Sequence, residues 1–140
     1  MRVMNIGSYD ILHYGHFSLL KFCKDIGDEV IIGLNTDEFI EQFKGKKPTM
    51  TYKERERALL ALPWVDKVVK NRQPGNSAGV IMLENKVDLY VSGSDWMKKD
   101  LFKQWEVKED FCDKYGIVLC YFPLAKNISS TIIKERVRLV

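Results

Sequence analysis

At 140 residues and 46% hydrophobic, the chain is long enough for one complete core and too short for two, so residues 1–140 read as a single domain. Its 22 basic and 19 acidic residues leave a formal charge of +3, far from the one-sided excess of a dedicated nucleic-acid binder and better matched to small anionic ligands. Cys23, Cys112 and Cys120 lack metal-type spacing, and no apolar run approaches membrane length. Asp10 and His13 interrupt any signal-peptide layout, so the expectation is a soluble cytoplasmic protein with no disulfide framework, cysteine zinc site or membrane partner.

Short apolar stretches at residues 2–6, 29–34, 67–69, 89–92 and 117–122 alternate with helical patterns, the rhythm of a parallel sheet with crossover helices. After the first stretch, Phe17, Leu19, Leu20, Cys23 and Ile26 recur at near-helical spacing, which predicts a helix from near Gly15 with Gly27 as its C-cap. Asn35, Thr36 and Asp37 can cap a short helix through Phe43. Lys44-Gly45-Lys46-Lys47-Pro48 has no apolar period and reads as a mobile basic loop. Thr51 with Glu54 fits a capping box on a helix ending near Pro63. Gln73-Pro74-Gly75-Asn76-Ser77 reads as a turn, followed by a helix from Ala78 through Leu83. Between Asp95 and Tyr115 the apolar residues Leu101, Trp105, Phe111 and Tyr115 fit a helix only with an irregularity. Ser129 or Ser130 can cap a final helix that turns Ile132, Ile133 and Val137 inward.

In an open parallel sheet, ligands collect beyond the carboxyl ends of the strands. The segment from Gly7 to His16 leaves the first such end and enters the first helix. Gly7 lets the backbone approach a ligand, and the helix N-terminus offers unpaired N–H groups suited to phosphate. Both histidines of the chain, His13 and His16, lie here and can donate to phosphate oxygens. Three other readings stand beside this one. The histidines can be surface or capping residues; they can share a metal with Asp10 as a weak third ligand; or His16 can transfer a proton. A phosphate-monoester nucleophile, with a second pKa of about 6, needs no general base. What such a reaction needs is charge neutralisation and in-line positioning, from cationic donors and a metal bridging the phosphates.

Gly7-Ser8-Tyr9-Asp10 with His13-Tyr14-Gly15-His16 resembles the signature of the HxGH nucleotidyltransferase superfamily, and Ile128-Ser129-Ser130-Thr131-Ile132-Ile133-Lys134 resembles its second signature. Within the superfamily the chain is most similar to the glycerol-3-phosphate cytidylyltransferases, nearly end to end. Leu19-Leu20, Gly27-Asp28, Thr36-Asp37-Glu38-Phe39, Lys44, Lys46, Tyr52 with Arg55, Val65-Asp66 and Gly93-Ser94-Asp95-Trp96 add to the match. The resemblance implies an α/β fold, a Rossmann-like doubly wound parallel sheet of about five strands with flanking helices. It implies transfer of CMP from CTP to glycerol 3-phosphate or a similar small phosphorylated polyol, release of pyrophosphate, Mg2+ held through the phosphates, and a homodimer. His13, His16 and Lys46 are implied as catalytic, with Gly7, Ser8, Tyr9, Gly15, Gly93, Asp95, Lys126, Ile128, Ser129, Ser130 and Thr131 around the nucleotide. Asp10, Lys44, Arg55 and Trp96 are implied to face the acceptor. From the residues alone, the lysine loop is equally a solvated charge run, Arg55 a surface partner of Glu54 or Glu56, Trp96 a core anchor, and Ser129, Ser130 and Thr131 a helix cap.

One stretch departs from the family. Cytidylyltransferases carry Arg-Thr-Glu-Gly before the second signature, whereas this chain has Leu124-Ala125-Lys126-Asn127. The arginine missing at Leu124 is a charged donor worth on the order of 2–4 kcal/mol to a transition state, and Lys126 is the nearest replacement. Asn127 suits a left-handed backbone where glycine is expected. Ile-Ser-Ser-Thr also resembles adenylyltransferase signatures, and the lysine loop is similar to that of sugar-phosphate adenylyltransferases of lipopolysaccharide heptose synthesis. ATP with a sugar or cofactor phosphate, and a nucleotide-binding module of weakened catalysis, are therefore the alternatives.

Overall fold

Alternation of large aliphatic side chains along the strands decides the architecture. In the computed structural model, which describes residues 1–72 and 77–139, five strands form one all-parallel sheet: β1 (Arg2–Gly7), β2 (Glu29–Asn35), β3 (Lys67–Asn71), β4 (Leu89–Gly93) and β5 (Val118–Phe122), in the order β3-β2-β1-β4-β5. Val3, Val30, Ile32, Leu34 and Val91 point to one face, where α1 (Tyr14–Ile26) contributes Leu20 and Cys23 and α3 (Tyr52–Leu60) contributes Leu59. Met4, Ile31 and Tyr90 point to the other face. There α4 (Ala78–Glu84), α5 (Leu101–Trp105) and α6 (Phe111–Tyr115) supply Ile81, Met82, Leu101, Trp105, Phe111 and Cys112. Burial on both faces is what a parallel sheet requires, and it explains why the strands read as near-continuous apolar runs. Strand order reverses between β1 and β4, so the loops leaving those two strands diverge and open a crevice at the carboxyl edge.

Two helices stand apart. α2 (Asp37–Lys44) buries only Ile40, and α7 (Ser130–Arg138) has no fully buried residue. The inward packing expected of α7 is corrected: Ile132 and Ile133 are half-buried, but Val137 is 66% exposed. This helix is docked by polar bonds rather than by an apolar stripe, as described below. The irregular stretch after Asp95 resolves into a 3₁₀ turn (Ser94–Lys98) followed by α5 and α6. Asp100 caps α5, and left-handed backbone at Glu106 and Gly116 ends α5 and α6, so no single helical period runs through it. The expected turn at residues 73–76 lies outside the described residues. All three cysteines are free thiols, and no helix among the described residues is long and apolar enough to cross a membrane.

Gly27 is the C-cap of α1 as expected, and it carries a second constraint. Its backbone is extended (φ −129°), so no left-handed cap is formed, and its N–H bonds the Cys23 carbonyl at 3.0 Å. Glycine is needed because a Cβ here would stand 2.3 Å from Val3 Cγ2, a stiff side chain at the centre of the core. Gly27→Ala is therefore expected to lower stability by about 1–3 kcal/mol through overpacking, read as a reduced denaturation midpoint with an unchanged m-value.

Candidate active site

The crevice is a cleft of ≈ 810 Å³ bordered by the loop after β1, the ends of β2 and β3, the turn after β4 and the start of α7. The β1 loop is bent sharply. Tyr9 (φ 50°) and Ile11 (φ 60°) both occupy left-handed backbone, which for a β-branched residue such as Ile11 stores strain and requires external support. That support comes from the far end of the chain. Ser130 Oγ donates to the Asp10 carbonyl and, at 3.1 Å, to the Ile11 carbonyl, while Lys134 Nζ reaches the Asp10 carboxylate at 2.7 Å. Ser130 and Lys134 are one helical turn apart, so a single face of α7 grips the β1 loop. The two signature segments, distant in sequence, thus meet as one unit.

Asp10 also accepts from the backbone N–H groups of Thr49 (2.8 Å) and Met50 (2.9 Å), which pins the far end of the lysine loop. Burial alone raises a carboxyl pKa, but Lys134 and these two N–H groups outweigh it and hold Asp10 below its ordinary value. Its two oxygens together accept three hydrogen bonds, and its carboxylate organises the site from within the protein.

The histidines are both capping residues and cleft residues. His13 is the N-cap of α1: its Nδ1 accepts from the Gly15 N–H at 3.1 Å, and His16 Nδ1 accepts from the His13 N–H at 3.2 Å. An imidazole whose Nδ1 accepts carries its proton on Nε2 and is neutral. The rings lie against each other at a tilt of 37°, with centroids 3.9 Å apart. Burial lowers the His13 pKa, while burial first and the neighbouring His13 second take His16 down to about 4. With both Nδ1 atoms accepting, each imidazole is left with Nε2–H as its donor, in keeping with the expectation that both histidines can donate. Tyr9 packs its ring 5.1 Å from His16 and donates its hydroxyl to Asn5 Oδ1.

Arg55 lies behind the cleft and is not among the residues that border it. It is 0% exposed. Its Nε donates to Met50 O (3.0 Å), Nη1 to Ser8 O (2.8 Å) and Asn35 O (2.9 Å), and Nη2 to Asp37 Oδ1 (2.6 Å). It pairs with neither Glu54 nor Glu56; its ionic partner is Asp37.

Of the other sequence-predicted residues, Gly7, Ser8, Lys44, Asp95, Trp96, Ile128, Ser129 and Thr131 border the cleft with Tyr9, Asp10, Gly15, Ser130 and both histidines. Ser129 caps α7, accepting from the Ile132 N–H at 3.1 Å, so it is a cap and a cleft residue together. Lys46 and Lys126 are exposed outside the lining, and Gly93 sits just behind it, where a Cβ would meet Asp95 Oδ1 and Leu124 Cδ2, each at 2.8 Å. Leu124, half-exposed, places an apolar side chain on the wall where the family arginine is expected, and Asn127 takes the left-handed backbone (φ 64°). Sequence reasoning missed Lys134, although its i+4 spacing from Ser130 signalled it. It also missed Asn35 and Asn71, polar residues that end adjacent strands in register, and Arg72 and Lys99, which reach the cleft by tertiary packing with no local signal.

A family model described as cytidylyltransferase-like matches residues 4–136. The chain belongs to the cytidylyltransferase-like family. It is a nucleotidyltransferase. It is 32% identical over 136 residues to a glycerol-3-phosphate cytidylyltransferase of Bacillus subtilis (strain 168), covering 97% of this chain and 96% of the relative. It is 36% identical over 109 residues to the bifunctional protein HldE of Helicobacter pylori (strain J99), covering 76% of this chain and 23% of that protein. A lipopolysaccharide core biosynthesis protein from Thermoplasma volcanium shares the fold with a TM-score of 0.68 and 27% identity, over 91% of this chain and 98% of its own. The five-stranded Rossmann-like sheet expected from the sequence is the fold of this family.

Two outcomes test the geometry. Arg55→Met leaves three carbonyls, in buried or part-buried bonds, and Asp37 without their donor, and is expected to cost about 3–5 kcal/mol of unfolding free energy in urea titrations. For His16, the folded pKa of about 4 lies below the unfolded value of 6.5, so the unfolded chain binds more protons between them. Stability is then complete above pH 6.5 and falls as the pH drops toward 4, by up to about 3 kcal/mol. The slope of denaturation midpoint against pH shrinks in that window for His16→Asn.

Proposed function

We propose that this nucleotidyltransferase transfers CMP from CTP to glycerol 3-phosphate or a similar small phosphorylated polyol. The observation that carries the reading is the Ser130 and Lys134 grip on the β1 loop, which brings the N-terminus of α7 beside His13 and His16 at the switch point of the sheet. Helix N-termini present unpaired N–H groups and positive potential, the setting in which phosphates bind. The similarity to a glycerol-3-phosphate cytidylyltransferase along almost the whole of both chains supports the choice of base and acceptor.

In the proposed reaction an oxygen of the acceptor phosphate attacks the α-phosphorus. The bond from that phosphorus to the bridging α,β-oxygen breaks, and its electron pair leaves with pyrophosphate. The attacking phosphate is largely dianionic at neutral pH, so no side chain has to remove a proton. His13 and His16 donate from Nε2 to phosphate oxygens, and the first N–H groups of α7 with Ser129 and Thr131 cradle the leaving end. Lys44 ends α2 on the cleft, and Lys46 reaches it by movement of the loop over residues 45–48. Gly45, with left-handed backbone (φ 77°), and the Asp10 bonds to Thr49 and Met50 are the two anchors of that loop. Asp10 already accepts three hydrogen bonds, from Thr49, Met50 and Lys134, so Mg2+ would be held mainly through the triphosphate oxygens. Its contribution there would be neutralisation of phosphate charge.

A second reading, ATP with a sugar phosphate, is favoured by one observation: Leu124 presents hydrocarbon where a cytidylyltransferase has a guanidinium. Competition between CTP and ATP in a pyrophosphate-release assay decides between them. A kcat/KM at least about tenfold higher for CTP is expected, and a preference for ATP overturns the choice. His16→Ala is expected to lower turnover by about 10²–10³ or more with an unchanged circular dichroism spectrum. Normal turnover in that variant contradicts the role given to His16.

A further inference from the structure

The wall of the cleft at the end of β3 carries polar groups that the transfer chemistry described above leaves unused. β3 ends in Asn71, in register with Asn35 of β2, and Asn71 is 2% exposed yet borders the cleft. Its Nδ2 donates to Asn35 Oδ1 at 2.8 Å, and Asn35 Nδ2 donates to Ser8 Oγ at 3.2 Å, so an amide relay runs across three strand ends. Asn71 Oδ1 has no partner among the described residues. Turning the amides over moves the unpaired atom from oxygen to nitrogen without removing it. Buried polar groups are normally paired, and one bordering a cleft is a candidate ligand contact.

The next residue, Arg72, has left-handed backbone (φ 72°), and its side chain is only 9% exposed. The guanidinium carbon lies 5.1 Å from the Phe39 ring centre. Its ionic partner is Glu106, 2.9 Å away and 78% exposed. That pair is unequal: a carboxylate standing in water holds its partner weakly, whereas a planar guanidinium binds phosphate through two parallel N–H donors. Phe39 lies 4.8 Å from Phe43, and Lys44 Nζ stands 5.6 Å from the Phe43 ring. The wall therefore runs cation, ring, ring, cation. The end of β3 stands two strands, about 10 Å, from the β1 loop, a gap that a long arginine side chain and a short phosphorylated carbon chain together span.

We infer that this wall is the acceptor subsite: Arg72 exchanges Glu106 for the acceptor's phosphate, and Asn71 Oδ1 accepts a hydrogen bond from a hydroxyl of a phosphorylated polyol or sugar. The rings of Phe39 and Phe43 give the C–H surface of that acceptor an apolar face. The inference rests on the nucleotidyl-transfer reading and names the residues that select its second substrate.

Steady-state kinetics on the wild type and four variants test it, with CTP and glycerol 3-phosphate and again with ATP and a hexose 1-phosphate. Arg72→Ala is expected to raise the acceptor KM by about tenfold or more while the triphosphate KM stays within about twofold, and Arg72→Lys recovers part of the loss. Glu106→Gln removes the competing carboxylate and lowers the acceptor KM by about two- to threefold, an effect that a purely structural ion pair does not produce. In Asn71→Ala, discrimination between glycerol 3-phosphate and its analogue lacking the central hydroxyl shrinks. An unchanged acceptor KM in Arg72→Ala, or an equal rise in both KM values, overturns the assignment. If the wild type turns over no pair, the transfer reading fails by itself, and calorimetric titration of glycerol 3-phosphate decides the subsite. Binding by the wild type that is lost in Arg72→Ala supports it, and absent or equal binding refutes it.

Discussion

The Arg55 guanidinium is the constraint on which the site depends. A charge with no exposure survives only where its donors are satisfied and a counter-charge is near. Here the carbonyls of Ser8, Asn35 and Met50 and the carboxylate of Asp37 meet that demand. Those groups belong to the loop after β1, the end of β2, the start of α2 and the segment before α3, so one side chain fixes the relative position of four pieces of backbone. Asp10 continues the chain of contacts. It accepts from Thr49 and Met50, the segment Arg55 also binds, and it holds Lys134 on α7. From Arg55 through Met50 and Asp10 to Lys134, polar bonds join the middle of the chain to both of its ends.

This polar frame sits on an apolar base of different character. The sheet and its flanking helices α1, α3, α4, α5 and α6 supply the buried core, while α2 and α7 contribute little to it. Helices held by few apolar contacts open at low free-energy cost, and these two carry Lys44 and the serine-rich signature. Backbone strain at Tyr9 and Ile11 is concentrated at the point where α7 grips the β1 loop. The histidines show the same economy. By accepting from the first N–H groups of α1 they cap the helix, and the same bonds leave each Nε2–H available to a ligand.

Much of the fold was legible in the sequence because it follows from local chemistry. Val- and Ile-rich runs located all five strands, and Thr51 with Glu54 announced a capping box that forms with both bonds in place. What escaped is non-local. The bonds of Arg55 to Ser8 and Asn35 cross 47 and 20 residues, so no spacing rule distinguishes a buried staple from a surface arginine. Gly27 ends α1 as its place in the sequence indicates, but the close approach of Val3 of β1, which excludes a Cβ there, has no local signal. Val137 has an apolar side chain at helical spacing, yet it stands in water near the end of α7, a helix with no fully buried residue. The histidines' location was visible, but their protonation state depends on which N–H groups they face.

The central claim is that one cleft, assembled by these polar bonds, joins the α-phosphate of a nucleotide to a phosphorylated acceptor. Phosphorus-31 NMR of the protein with CTP, glycerol 3-phosphate and Mg2+ tests it most directly. The account predicts that both substrates disappear together, that pyrophosphate appears in equal amount, and that a new diphosphate links the cytidine and glycerol phosphorus atoms. Persistence of both substrates, or release of CMP with the acceptor untouched, contradicts it.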